Sequence, residues 1–330
     1  MAMLETRNLT RRFGNLAAVD AMSLTVEPGE VFGLLGPNGA GKSTAIKMLT
    51  TLLPPTSGSA SVAGFDVLRH AVNVRRLIGY VPQALSADGS LTGYENLLIF
   101  AKLYDLPAAE RKPRIRDALE FMGLTDSADK LVRKYSGGMI RRLEIAQSTL
   151  HRPRLLFLDE PTVGLDPLAR KTVWEHIKRL RADHDTTIFL TTHYMEEADS
   201  LCDRVAIMHR GKIVVANTPD QLKASVGGPA TLGDAFIHYA GDTLKSGGSY
   251  RDSATERRKA RRLGGFRADS LVEPPGRGGQ VLRKNSRDRR ARNPQAPSRF
   301  HRIDYPSHTA RAVAVAVWAG LYQSTHIPVG

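Results

Sequence analysis

Nine consecutive residues, Gly36-Pro37-Asn38-Gly39-Ala40-Gly41-Lys42-Ser43-Thr44, have the make-up of an anion cradle. Gly36, Gly39 and Gly41 allow backbone turns that side chains forbid, so successive N–H groups can converge on oxyanions. The spacing G-x-x-x-x-G-K-[ST] adds an ammonium, Lys42, that would reach the β- and γ-phosphates of a nucleotide, and a hydroxyl, Ser43, suited to a hard cation such as Mg²⁺. An apolar run, Val31 to Leu35, precedes the loop and an amphipathic run, Thr44 to Leu49, follows it. The order is strand, glycine-rich loop, helix, and the helix that opens near Gly41 would aim its positive dipole end at the same anion.

Further polar residues follow apolar runs. Asp159 and Glu160 come directly after Leu155-Leu156-Phe157-Leu158, a continuously apolar stretch typical of a strand covered on both faces. Ligands gather at the carboxyl ends of such strands, where Asp159 could hold Mg²⁺ and Glu160 could polarise an attacking water as general base. His193 follows a strand-like stretch, Thr187 to Thr192. A lone histidine is more often structural, but at this edge its imidazole could contact the γ-phosphate and orient the water or Glu160. Gln83 follows Ile78 to Pro82 and offers an amide oxygen to Mg²⁺ or water. Ser136-Gly137-Gly138 precedes a helical run and forms a second anion-binding geometry from a serine cap and free helix N–H groups. Phe13, before Gly14, could stack on adenine. A single ATP can use both loops only if they come from different subunits or if distant surfaces fold together.

The positioning elements read as α/β. Leu4 to Leu9 and Ala21 to Val26 are strand-like, separated by turn signals, and suggest a small antiparallel sheet. From Leu91 to Gly123 the periodicity is helical, with Leu97, Ala101, Ile115, Leu119 and Met122 on apolar faces. A helix over Met139 to Leu150 comes next, then the strand ending at Asp159. A helix over Thr172 to Ala182, a strand from Thr187, a helix over Met195 to Cys202 and a strand over Arg204 to Met208 complete the pattern. The alternation runs to about residue 240.

Composition limits the function classes. The formal net charge is +14, but residues 1 to 244 hold 29 Lys and Arg against 27 Asp and Glu, whereas residues 245 to 330 hold 18 against 6. The basic character therefore belongs to the tail. Cys202, alone of its kind, excludes an internal disulfide and reads as small core filler. Met1 to Arg12 is too polar for a signal peptide, and Ala312 to Tyr322 is too short to span a bilayer. Any membrane work would need a partner.

These motifs, in this order, resemble the nucleotide-binding subunit of ABC transporters over roughly residues 3 to 240. Gly36 to Thr44 looks like its Walker A, Gln83 like its Q-loop, Tyr135-Ser136-Gly137-Gly138-Met139 like its signature, Leu155 to Glu160 like Walker B, Gly164-Leu165-Asp166 like the D-loop and Thr191-Thr192-His193 like the H-switch. The resemblance implies an α/β P-loop NTPase fold with a mixed sheet core, an N-terminal antiparallel β subdomain and an inserted helical subdomain at about residues 85 to 150. It implies ATP with Mg²⁺ held by Ser43, Gln83 and Asp159. It also implies a head-to-tail homodimer in which Ser136, Gly137, Gly138 and Asp166 of one subunit complete the ATP site of the other. Tyr135 and Met139 depart from the usual Leu-Ser-Gly-Gly-Gln, with the Ser-Gly-Gly core intact.

Tyr135 to Met139, Phe157 to Pro167 and Ala235-Phe236-Ile237-His238-Tyr239 look most like the daunorubicin/doxorubicin-resistance branch. Its members pair with a separate transmembrane permease at the cytoplasmic face of the membrane and export drugs or lipids. By the same resemblance, the Gln83 loop and residues 91 to 135 would receive the permease. Residues 245 to 330, rich in Arg, Gly, Ser and Pro without periodicity, read as a disordered tail able to touch anionic lipid or nucleic acid. The competing reading is a soluble ATPase of the same family acting on ribosomes or nucleic acid. Against it, every motif occurs once, and the Thr44 to Ser136 interval lacks sustained heptads.

Overall fold

The computed structural model describes residues 1–245; the expected basic tail and the apolar run from Ala312 lie outside the described residues. Two antiparallel strands, β1 (Leu4–Phe13) and β2 (Leu16–Val26), turn at Gly14-Asn15 and pair with β4 (Ser57–Val62) and β5 (Phe65–Asp66) in the order β2-β1-β4-β5. This is the expected β subdomain. Both leading strands are longer than the apolar periodicity suggested: in β1 the half-buried Arg11 and the exposed Arg12 continue the ladder, and β2 begins at Leu16 and not at Ala21.

The second sheet contains β3 (Val31–Leu35), β6 (Ile78–Val81), β7 (Leu155–Asp159), β8 (Thr187–Thr192), β9 (Arg204–His209) and β10 (Lys212–Asn217). Its order is β10-β9-β3-β8-β7-β6; every pairing is parallel except β9 with β10, which makes it a mixed sheet. Alternate residues of the central strands enter different cores. Val31, Leu35, Leu156, Leu158, Ile188 and Leu190 join the cluster that includes the helical insert, while Phe32, Leu34, Leu155, Phe157 and Phe189 face the cluster shared with the β subdomain. Covering both faces is why these strands are apolar at every position. Phe189 stacks on Phe32 at 5.6 Å between ring centroids and meets Phe157 at 5.5 Å.

The helices are α1 (Lys42–Leu49), α2 (Ala71–Leu77), α3 (Gly93–Leu103), α4 (Ala108–Phe121), α5 (Gly137–Thr149), α6 (Pro167–His184), α7 (Met195–Leu201), α8 (Pro219–Ala224) and α9 (Leu232–Lys245). α3 starts at a capping box, in which the Thr92 side chain accepts from the Glu95 N–H and Glu95 accepts from the Thr92 N–H. α5 begins two residues before the sequence expectation because Ser136 caps it, accepting from Met139 N–H at 3.3 Å. α6 is five residues longer at its start than its apolar pattern, since Asp166 caps it and Pro167 occupies its first turn. Leu97 and Ala101 of α3, Ile115 and Leu119 of α4, and Leu143 and Ala146 of α5 share one core, which is the expected helical insert. Among the described residues no helix is long and apolar enough to cross a membrane.

Candidate functional site

Register brings the chemistry together. Parallel pairing sets Val81 beside Leu158, Asp159 beside Thr191 and Leu35 beside Thr192. Four strands therefore end level, and Gln83, Glu160, His193 and the Gly36 loop emerge at the same edge. The Gly36 N–H donates to the Thr192 carbonyl at 3.2 Å, which ties the loop to β8. Two of its glycines are obligatory here: a Cβ on Gly36 would collide with the Met208 carbonyl oxygen, and Gly41, at φ 110°, would drive one into the Ala18 carbonyl.

Glu160 is the hub. Its side chain is only 5% exposed, and Lys42, whose side chain is 4% exposed, places Nζ 3.0 Å from Oε1. Gln83 Nε2 donates to Oε2 at 3.2 Å. His193 Nδ1 is 3.2 Å from the same oxygen, within ion-pair reach but without hydrogen-bond alignment, and it remains partly exposed. Lys42 also donates to the carbonyls of Gly36 at 2.8 Å and Pro37 at 3.2 Å. The Glu160 backbone sits at φ +50°, a conformation that costs a non-glycine residue about 1–3 kcal/mol. Its N–H donates to Thr191, to both the carbonyl and Oγ1 at 3.1 Å, and so holds the strained turn.

Asp159 lies beside it. Oδ1 accepts from Ser43 Oγ at 3.2 Å and from Thr191 Oγ1 at 2.6 Å, with Asp159 and Thr191 buried. A carboxylate and a hydroxyl converging at this distance form an all-oxygen pair of the kind Mg²⁺ accepts, so the residues fit the ion. On the neighbouring strand, burial and then the Asp159 charge push the Tyr80 phenol up from its ordinary value. In the sequence Thr191 is the first residue of the H-switch stretch, with no contact to Asp159 expected of it. The available signal was a hydroxyl in the last positions of an otherwise apolar strand; its role needed the register with Asp159.

Some of the expected residues lie in other surroundings. Ser136, Gly137 and Gly138 pack against the segment around α6: a Cβ on Gly137 would touch Leu165, and one on Gly138 would press Ala169 at 2.8 Å. Asp166 accepts from the N–H groups of Leu168 at 3.0 Å and Ala169 at 2.9 Å. Behind this segment Glu197, fully buried, accepts from Thr162 Oγ1 at 2.8 Å and Trp174 Nε1 at 2.9 Å, linking α7 to the turn after Glu160 and to α6. Phe13 is 48% exposed at the end of β1, with the Arg11 guanidinium 4.7 Å from its ring centroid. An aromatic face left on the surface is available for stacking in a way that a core phenylalanine is not. Cys202 is buried, its thiol pushed well up by desolvation, and it fills space against Gly33. No cluster of three or more His, Cys, Asp or Glu able to hold a metal occurs among the described residues.

Comparison with known proteins gives the same picture. The family model described as ABC transporter matches residues 19–163. The daunorubicin/doxorubicin resistance ATP-binding protein DrrA of Streptomyces peucetius is 46% identical over 224 residues, which is 68% of this chain and 68% of that protein. The linearmycin resistance ATP-binding protein LnrL of Bacillus subtilis is 41% identical over 230 residues, 70% of this chain and 74% of the relative. A solved structure of an ATP binding subunit of an ABC transporter superposes with a TM-score of 0.65 at 30% identity, covering 72% of this chain and 99% of that one. With these identities, the mixed-sheet fold and the nucleotide loop at the strand ends, the chain belongs to the ATP-binding subunits of ABC transporters and is similar to members named for drug resistance.

Proposed function

We propose that this ATPase drives export of a drug, lipid or other hydrophobic compound through a separate membrane-spanning subunit, working from the cytoplasmic face of the membrane as a homodimer. The observation that carries the chemistry is the convergence of Lys42, Gln83 and His193 on the single carboxylate of Glu160. Its coupling to export rests on the likeness to the daunorubicin and linearmycin resistance proteins.

In this reading the Gly36–Thr44 loop and α1 hold the phosphates of ATP, with Pro37, Asn38, Gly39, Ala40 and Thr44 supplying the cradle's backbone, and Phe13 stacks on adenine. Phosphate oxygens compete with Glu160 for Lys42, so nucleotide entry draws the ammonium away and leaves the carboxylate free to accept a proton. Glu160 then takes that proton from a water attacking the γ-phosphorus as the bond to the β–γ bridging oxygen breaks and ADP leaves. His193 and Gln83 hold the water and the carboxylate in line. Ser43, Asp159 and Gln83 would hold Mg²⁺, whose charge offsets that of the β- and γ-phosphates. Ser136, Gly137, Gly138 and Asp166 would close the site of a second copy. That assignment resolves the presence of two phosphate-type loops in one chain. The ATPase domain spans residues 3–240, with the insert at about 85–150.

The test is affinity capture of the full chain from gently solubilised membranes, with and without Mg-ATP, followed by mass spectrometry. Near-stoichiometric recovery of a polytopic membrane protein is the expected result. Recovery of ribosomal proteins or nucleic acid with no membrane partner would overturn the export reading.

A further inference from the structure

The largest fully buried side chain among the described residues does not belong to the nucleotide site. It is Arg141, 2% exposed, on the first turns of the helix that Ser136 caps. One turn along lies Glu144, equally buried, its Oε2 3.0 Å from Arg141 Nη1. An ion pair in the interior is costly to desolvate and gives little net stability, so its retention calls for another explanation. Its remaining hydrogen bonds supply one. Arg141 donates through Nη1 to the Pro82 carbonyl at 2.7 Å and through Nη2 to the Gln83 carbonyl at 2.9 Å. Glu144 Oε1 accepts from the backbone N–H of Ser86, from Ser86 Oγ at 3.1 Å and from the Ala87 N–H at 3.3 Å.

The two charges thus grip both ends of residues 82–87, the loop whose Gln83 side chain reaches Glu160. Its continuation is held as well. Gln147, further along the same helix, donates to Asn96 Oδ1 at 3.3 Å, and Asn96 exchanges hydrogen bonds with both the N–H and the carbonyl of Asp88. The guanidinium fork suits two adjacent carbonyls in a way that a lysine ammonium does not. Burial pulls Arg141 down and pushes Glu144 up from their ordinary values, each opposed by the charge of the other. Neither residue stands out in the sequence, where an Arg and a Glu three apart on a helix carry no mark of burial.

We infer that Arg141 and Glu144 are positioning residues for the reaction, a buried clasp through which the Ser136-capped helix sets the place of Gln83 against Glu160. The inference rests on the reading of Gln83 as the amide that orients Glu160. It also connects the Ser136 loop to the nucleotide site through Gln83: displacement of the helix at Ser136 carries with it the Gln83 backbone, whose side chain reaches Glu160.

A double-mutant cycle on the full chain tests this. Replacing both charges together, Arg141→Met with Glu144→Leu, avoids leaving a lone buried ion. In the otherwise native chain this pair of changes is expected to lower kcat for Mg-ATP about tenfold or more, the order expected when a positioning group shifts by about 1 Å, with ATP affinity changed less than about twofold. In a Gln83→Ala background the same changes are expected to lower kcat less than about twofold, because the clasp acts through that side chain. Arg141→Lys, which keeps the charge but loses the fork, is expected to fall well short of restoring kcat. Hydrogen exchange at the Ser86 and Ala87 amides gives a readout independent of turnover: their protection is expected to be lost in the Met/Leu variant.

Equal losses in both backgrounds, or unchanged protection at Ser86 and Ala87, would overturn the clasp. A Gln83→Ala chain with native turnover would instead overturn the reading of Gln83 on which it rests. Should the Met/Leu chain fail to fold, the Arg141→Lys chain carries the same kinetic cycle, while protection at Ser86 and Ala87 stays native in it because Glu144 still accepts from those amides.

Discussion

Replacing Thr191 by valine removes one oxygen from the site and almost no volume. The hydroxyl is fully buried, donates to Asp159 Oδ1 at 2.6 Å and shares the Glu160 N–H with the Thr191 carbonyl. In Thr191→Val the carbonyl still accepts that N–H and β8 keeps its ladder, so the loss is the hydrogen bond to a carboxylate, about 1.5–3 kcal/mol. For a domain of this size each kcal/mol moves Tm by roughly 2–4 °C, which predicts a fall of roughly 3–12 °C in apo protein. A second consequence separates function from stability. Thr191 and Ser43 are the two groups holding Asp159 Oδ1, and losing a partner that orients a metal-binding carboxylate typically weakens metal affinity about 10–100-fold. The assay is ATPase rate against Mg²⁺ at saturating ATP, with Tm measured alongside, and Thr191→Ser as the rescue. The expected result is a Mg²⁺ midpoint raised about tenfold or more in the valine variant and restored by serine. A lowered Tm with an unchanged midpoint would show that the hydroxyl only stabilises the strand ends.

Glu160→Gln keeps shape but removes the proton acceptor; steady-state turnover is expected to fall by about 10²-fold or more while ATP-dependent dimer, followed by size-exclusion chromatography, increases, and native turnover would refute the general-base role. Phe13→Ala is expected to weaken ATP binding about tenfold, in line with stacking worth about 1–3 kcal/mol, while Phe13→Tyr holds it near native; equal affinity of all three proteins, titrated by calorimetry, would remove Phe13 from the adenine site. His151 is stacked on Tyr104 at 3.8 Å with Nε2–H donating to the Ile78 carbonyl at 3.0 Å, and burial takes its pKa down to about 4. Because the folded state favours neutral imidazole, this stability is present above about pH 6.5 and is lost as pH falls toward 4, and His176, also lowered by burial, acts in the same direction. Thermal melts should therefore show a falling Tm between pH 6.5 and 4, with a smaller fall in His151→Phe than in the native chain.

Much of the site was legible because its motifs are local. Residues 31 to 49 are a strand, turn and helix within one short stretch, and the demand for glycine at φ 110° is a property of the backbone at Gly41. The strand ending at Asp159 announced itself by being apolar throughout, which happens where both faces are covered. Helix starts depart from the apolar periodicity where capping sets the boundary: Ser136 begins α5 and Asp166 begins α6. β1 outruns its apolar stretch for a related reason, since its end keeps its hydrogen bonds while its side chains turn polar.

By itself the sequence determined the nucleotide loop, the strand-end carboxylates, the α/β alternation and the concentration of positive charge after residue 245. Each of these is a statement about neighbours in the chain. Only the tertiary structure decided which partners meet: Asp159 beside Thr191, Gln83 and His193 on Glu160, and Arg141 with Glu144 buried against residues 82–87. These contacts join residues separated by tens of positions, and they depend on parallel register and on which helix face is covered. Neither property is carried by any single segment. A charged pair looks the same in sequence whether water or a loop backbone satisfies it, and the packing of the insert on the sheet chose the loop.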